Sequence, residues 1–290
     1  MSDTEAPRRP GPWDPKPEDA APAPAPAARV EVASPRAKAA EPPLDKGQHP
    51  VWAIVSTLLL GGFIWWLSGS WVIAVAAIWG LFVHEYGHVL AMNRLGMGPA
   101  RIYIIPFLGG VARSQRLPES EWHGVLVSLA GPFFGLLAAI PFFAGFIIIG
   151  QAAWLLGAAI IALINLVNLA PAPPLDGSKA LGPVLAGVHP MLERLAMIAV
   201  GVLVVWWGLT TGRFILAVFL GIALIGHLKR GAWRPEGRPL TARESVASVG
   251  LFVATAVACA GVGVAALMPL AEGSLPGALA VAGGYLGIGR

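Results

Sequence analysis

The chain has 290 residues, 56% hydrophobic and 12% charged, a formal net charge of +4 and a mean hydropathy of +0.69. These values lie outside the range of ordinary soluble domains, so a lipid bilayer is the expected solvent and partner. Lys and Arg flank apolar runs and form no basic stripe, so no nucleic-acid partner is expected. A single cysteine, Cys259, excludes an internal disulfide framework and a thiolate metal site.

The first 48 residues hold 15 of the 36 charged side chains and are rich in Pro and Ala. Apart from Trp13 they have almost no large apolar residue, which predicts a disordered tail. The tail is too long and polar for the leading region of a cleaved signal peptide, so the first apolar run is expected to stay as a signal anchor. Crossing a hydrocarbon core takes about 20 apolar residues of helix. Runs of that kind predict spans near residues 50–67, 71–93, 123–149, 152–170, 191–209, 213–229 and 246–268. The apolar but short and Gly-rich stretch 275–289 reads as either interfacial or an eighth partial span.

Positive residues favour the cytoplasmic side of short loops. Arg94, Arg101, Arg113 and Arg116 mark one such loop, and Lys229, Arg230, Arg234, Arg238 and Arg243 another. Seven spans with a cytoplasmic N-terminus satisfy both, and they put segment 171–190 on the same side. Within the first loop, residues 101–113 carry Ile, Tyr and Phe, then Pro106 and Gly109-Gly110. That reads as a short extended hairpin, which enters a membrane only beside protein or a wet cavity.

The second span contains HEYGH. His84 and His88 are four residues apart, share a helix face and suit one zinc ion, with Glu85 beside them as general base. Glu85 is the only carboxylate between Asp45 and Glu119, and an ionisable group at that depth is costly unless function retains it. A catalytic zinc needs a third protein ligand. His123, His189 and His227 lie at membrane edges, whereas Asp176 is the only carboxylate between Glu121 and Glu193. Asp176 is the expected third ligand. Pro171, Pro173 and Pro174 would stop the preceding helix and fold an extended segment back, and Gly177 would permit a tight turn.

HEYGH, FLGGVAR, SLAGP and NLAPAPPLDG, in this order and spacing, resemble the site-2 protease family of intramembrane zinc metalloproteases, peptidase family M50. The resemblance covers roughly residues 70–185. It implies that His84, His88 and Asp176 bind one zinc ion per chain and that Glu85 activates water. It also implies that Asn168 holds the substrate carbonyl or helps stabilise the oxyanion. Asn165, on the same helical face, reads either as its support or as a helix-packing residue. The hairpin corresponds to the family's membrane-entering β element, thought to pair with an unwound substrate by strand addition. Two departures stand out: Gly135 occurs where family members often carry Asn, and Ser178 replaces the second Gly after LDG.

The expected fold is an all-α polytopic membrane protein of about seven transmembrane helices, with the family's three-helix core and a re-entrant β-hairpin. The expected divisions are a tail (1–48), a first transmembrane helix (49–69), a catalytic core (70–185) and additional C-terminal transmembrane helices (186–290). The expected function is hydrolysis of a peptide bond in or near a transmembrane segment of a membrane-protein substrate, in regulated intramembrane proteolysis. An upstream protease or adaptor would assist. Ala, Gly and Pro richness suggests a bacterial inner membrane, with the active site toward the cytoplasm. A non-proteolytic zinc-binding scaffold is the alternative, and Glu85 argues against it because a structural site needs no base. Small residues Gly201, Gly208, Gly221 and Gly226 are expected to let the fifth and sixth spans pack closely.

Overall fold

A computed structural model describes residues 47–105, 109–212, 214–230 and 237–286. Most of the predicted tail, the hairpin tip, Arg213, Arg234, the His227 and Arg230 side chains and the last four residues lie outside the described set. The described chain is mostly helical with one antiparallel hairpin.

Helix α1 (Pro50–Ser68) begins with Pro at its first position, where the missing N–H costs no intrahelical bond, and stops at Gly69 in the left-handed conformation. Helix α2 (Trp71–Arg94) is capped by Ser70, whose side chain accepts from the Ile73 N–H. Strands β1 (Arg101–Ile105) and β2 (Gly109–Arg113) pair with Ile104 opposite Gly110. Helix α3 (Glu121–Leu137), capped by Ser120, passes through Ala138 and Ala139 into α4 (Ile140–Ile149). The predicted span at 123–149 thus holds two helical segments, which together form one stretch long and apolar enough to cross a membrane. Helix α5 (Ala152–Asn168) is followed by α6 (Asp176–Val188), α7 (Pro190–Thr210) and α8 (Phe214–Arg230). Helix α9 (Ala242–Leu267) starts with a Thr241–Glu244 capping box, and α10 (Leu275–Leu286) comes after it.

Among the described residues, five helical stretches are long and apolar enough to cross a membrane: 50–68, 71–94, 121–149, 190–210 and 242–271. Helix 152–168 and the apolar segments 217–226 and 275–284 are shorter. Helix α10 has 12 residues, about 18 Å at 1.5 Å per residue, too short to span a hydrocarbon core.

Segment 171–190 departs from its expected form. The proline run does end α5, through tight turns in which Ala172 N–H donates to Ala170 O and Leu175 N–H to Ala172 O. Residues 176–188 are then helix rather than loop, and Gly177 lies inside that helix with no positive φ. Its glycine serves space and not a turn: a Cβ there would overlap the Leu169 carbonyl. Helix α6 is thus pressed onto the end of α5.

The core lies where α2, α5, α9 and the α3–α4 junction meet. Val72, Ala76, Ala138, Ala139, Phe142, Ala158, Ile161 and Ala266 are buried together there. Lipid tails are as apolar as these side chains, so close contact between small residues has to supply the packing. A Cβ on Gly80 would sit 2.8 Å from Ile161. Between α7 and α8, Gly201 meets Leu224 and Gly208 meets Ala217, as expected, whereas Gly221 and Gly226 face open space.

Candidate metal centre

One turn of α2 carries His84, Glu85 and His88 inward, all at least nine-tenths buried. The Pro-rich return brings Asp176, the first residue of α6, to the same point. His84 Nε2 lies 3.1 Å and His88 Nε2 3.3 Å from Asp176 Oδ2, and the two Nε2 atoms are 3.1 Å apart.

The far side of each ring decides what those nitrogens are. His84 Nδ1–H donates to Asn165 Oδ1 at 2.9 Å, and His88 Nδ1–H donates to the Val127 carbonyl at 2.7 Å. With the ring proton of each neutral imidazole held at Nδ1, both Nε2 atoms present lone pairs to one another and to a carboxylate. Three acceptors converging in this way suit a cation. A tetrahedral ion with bonds of about 2.0–2.1 Å separates its ligand atoms by roughly 3.4 Å, close to the separations seen here. The buried His84, His88 and Asp176 group is therefore one that could hold a metal ion.

Glycines set the walls. A Cβ on Gly131 of α3 would overlap His88 Nε2, and one on Gly110 of β2 would lie 2.5 Å from Glu85 Cγ. The SLAGP and FLGGVAR motifs are thus the places where α3 and the hairpin close on the histidine–glutamate turn. On the opposite strand, Gln48 Oε1 accepts from Ile104 N–H at 2.8 Å and Gln48 Nε2 donates to Ile104 O at 3.0 Å. One side-chain amide therefore occupies the outer edge of β1. Because Ile104 points both backbone groups away from β2, its partner Gly110 points its own away from β1.

Asn168 is half-buried, and its Nδ2 donates to Ile164 O at 3.0 Å within its own helix. Asn165 is the asparagine that meets the group: it is fully buried, with Nδ2 donating to Ile161 O at 2.8 Å and Oδ1 on His84. A Cβ at Gly135 would overlap its amide. The Gly135 departure from the family pattern thus has a physical counterpart, an amide reaching the same space from α5. Its signal in the sequence was a polar residue three before Asn168 on an otherwise apolar helix. The other third-ligand candidates, His123 and His189, lie outside the group; the Nδ1 of His123 is buried without a partner among the described residues, and His189 caps α7 by accepting from Met191 N–H.

Fold and site together define a multi-pass helical membrane protein with a buried His–His–Asp group able to hold a metal and a carboxylate beside it. Residues 72–151 match the model of peptidase family M50, which bears out the motif resemblance over that segment and indicates a metallopeptidase. The match takes in HEYGH, the hairpin and SLAGP and ends before Asp176, so the placing of Asp176 rests on the geometry above. No curated protein and no solved structure matches the chain.

Proposed function

We propose that the chain is an intramembrane zinc metalloprotease that hydrolyses a peptide bond in or near a transmembrane segment of a membrane-protein substrate. The observation that carries this is the convergence of Asp176 on His84 and His88 beside Glu85, the last three lying in a helix long and apolar enough to cross a membrane. A helix in lipid hides its peptide bonds in its own hydrogen bonds, so a protease acting there must offer an unwound segment new backbone partners. Gln48 already occupies the β1 edge, which leaves the β2 edge at Gly110, against Glu85, for an extended substrate.

His84, His88 and Asp176 hold the zinc ion, one per chain. When bound, it supplies Lewis-acid polarisation of water and of the scissile carbonyl. Glu85 takes the proton from water as the bond to carbon forms and delivers it to the leaving amine. Asn168 offers an amide hydrogen to the substrate carbonyl oxygen as negative charge grows there. The surrounding helices exclude bulk water. The family resemblance and the composition support a role in regulated intramembrane proteolysis at a bacterial inner membrane. Seven spans, a site toward the cytoplasm and help from an upstream protease or adaptor complete the reading.

The test compares new protein termini in membranes of cells making the native chain or Glu85→Gln at equal levels. Termini inside transmembrane segments should appear with the native chain alone. Identical termini in both, even with candidate substrates supplied already trimmed, would favour the zinc-binding scaffold.

A further inference from the structure

We propose that Asn165 is a positioning residue for the metal centre, holding the His84 ring through its Nδ1–H, and that position 135 is glycine because any side chain there would displace it. This rests on reading His84, His88 and Asp176 as a zinc site. An amide with no exposure to solvent is costly inside an apolar helix bundle unless both of its ends are satisfied. Asn165 satisfies them asymmetrically. The bond from Nδ2 to the Ile161 carbonyl, 2.8 Å, fixes which way the amide faces, so the atom left toward His84 is Oδ1, an acceptor only.

An acceptor at Nδ1 determines where the proton of neutral His84 sits, and hence that Nε2 carries a lone pair toward Asp176 and His88. It also sets the plane of the ring. Val127 O performs the same service for His88 from the backbone of α3. His84 has no such carbonyl and depends on a side chain from α5, which makes its alignment removable by mutation. Gly135 of α3 stands behind that side chain: its absent Cβ would overlap Oδ1, Cγ and Nδ2 of Asn165. The structure thereby couples two residues, neither of them a metal ligand, to the metal affinity of a third.

Partners of this kind typically contribute 10- to 100-fold in metal affinity. The full chain, purified in detergent, is titrated with Zn2+ against a chromogenic chelator, alongside Asn165→Ala, Asn165→Leu, Gly135→Ala and the double variant Gly135→Ala/Asn165→Ala. Asn165→Ala should bind zinc about 10- to 100-fold more weakly. Asn165→Leu keeps the size and shape of the amide but offers no acceptor to Nδ1–H, so it should bind as weakly as Asn165→Ala, whereas a packing role alone would leave it close to native. Gly135→Ala should weaken binding comparably to Asn165→Ala. The double variant should be no weaker than Asn165→Ala alone, because the new methyl group then has no amide to displace. A native-like Asn165→Leu, a native-like Gly135→Ala, or additive losses in the double variant would each overturn the proposal. A native chain that takes up one zinc while Asn165→Ala equals it overturns the positioning role alone. A native chain that takes up none overturns the zinc reading and this proposal with it.

Discussion

Helices α1 and α2 are separated by two residues, and both are long and apolar enough to cross a membrane, yet 11% of the span in α1 is buried against 56% in α2. Hydropathy alone would have treated them alike. They differ in what interrupts the apolar run. Helix α1 buries Ser56 and Leu60 and turns Leu58, Trp66 and Leu67 outward. Helix α2 carries Gly80, Gly87 and several alanines together with His84, Glu85 and His88, and it buries all of those glycine, histidine and glutamate residues. In lipid, apolar bulk gives a helix no reason to be inside. Small residues that allow close approach, and polar groups that need partners, do.

If that difference is the organising one, substitutions should grade from the buried face of α2 outward to α1. The largest effect is expected for Asp176→Ala: zinc content by elemental analysis should fall from one per chain to none, and hydrolysis with it. Gly131→Ala comes next, because its methyl group would overlap the His88 ring. Zinc affinity, measured by chelator competition, should drop on the order of 100-fold while helical content by circular dichroism is unchanged. Gly80→Ala presses on Ile161 instead of a ligand, and should cost about 1–3 kcal/mol of stability, read as a lower unfolding midpoint. Trp66→Ala, on the outward face of α1, should stay within about 0.5 kcal/mol of native and leave zinc binding untouched. An α1 substitution as damaging as Gly80→Ala would break the comparison.

Much of this order is legible in the chain. HEYGH inside an apolar run announces a ligand pair and a base, because isolated carboxylates are too costly there to be accidental. Asp176 emerges from scarcity, being the only carboxylate in a long stretch. The hairpin is signalled by Pro106 and the glycine pair. Three features were not legible. The helical character of Asp176–Val188 was obscured by Gly177, which read as a tight turn, although it is needed for contact with Leu169. Asn165 read as a support for Asn168 or as a helix-packing residue, because its partner His84 lies 81 positions away. Gln48 belonged to the end of a polar tail, and its pairing with Ile104 spans 56 residues.

By itself, then, the sequence determined the solvent, the approximate position of each long helix and which side chains could carry metal chemistry, because those depend on local composition and on the cost of polar groups in hydrocarbon. Tertiary structure alone decided which helices face inward, that Asp176 meets the two histidines, that Asn165 and Val127 set their ring protons and that Gly110 lies on Glu85. Each of those depends on the close approach of elements distant in the chain, where one missing Cβ, and not a local propensity, determines what can touch.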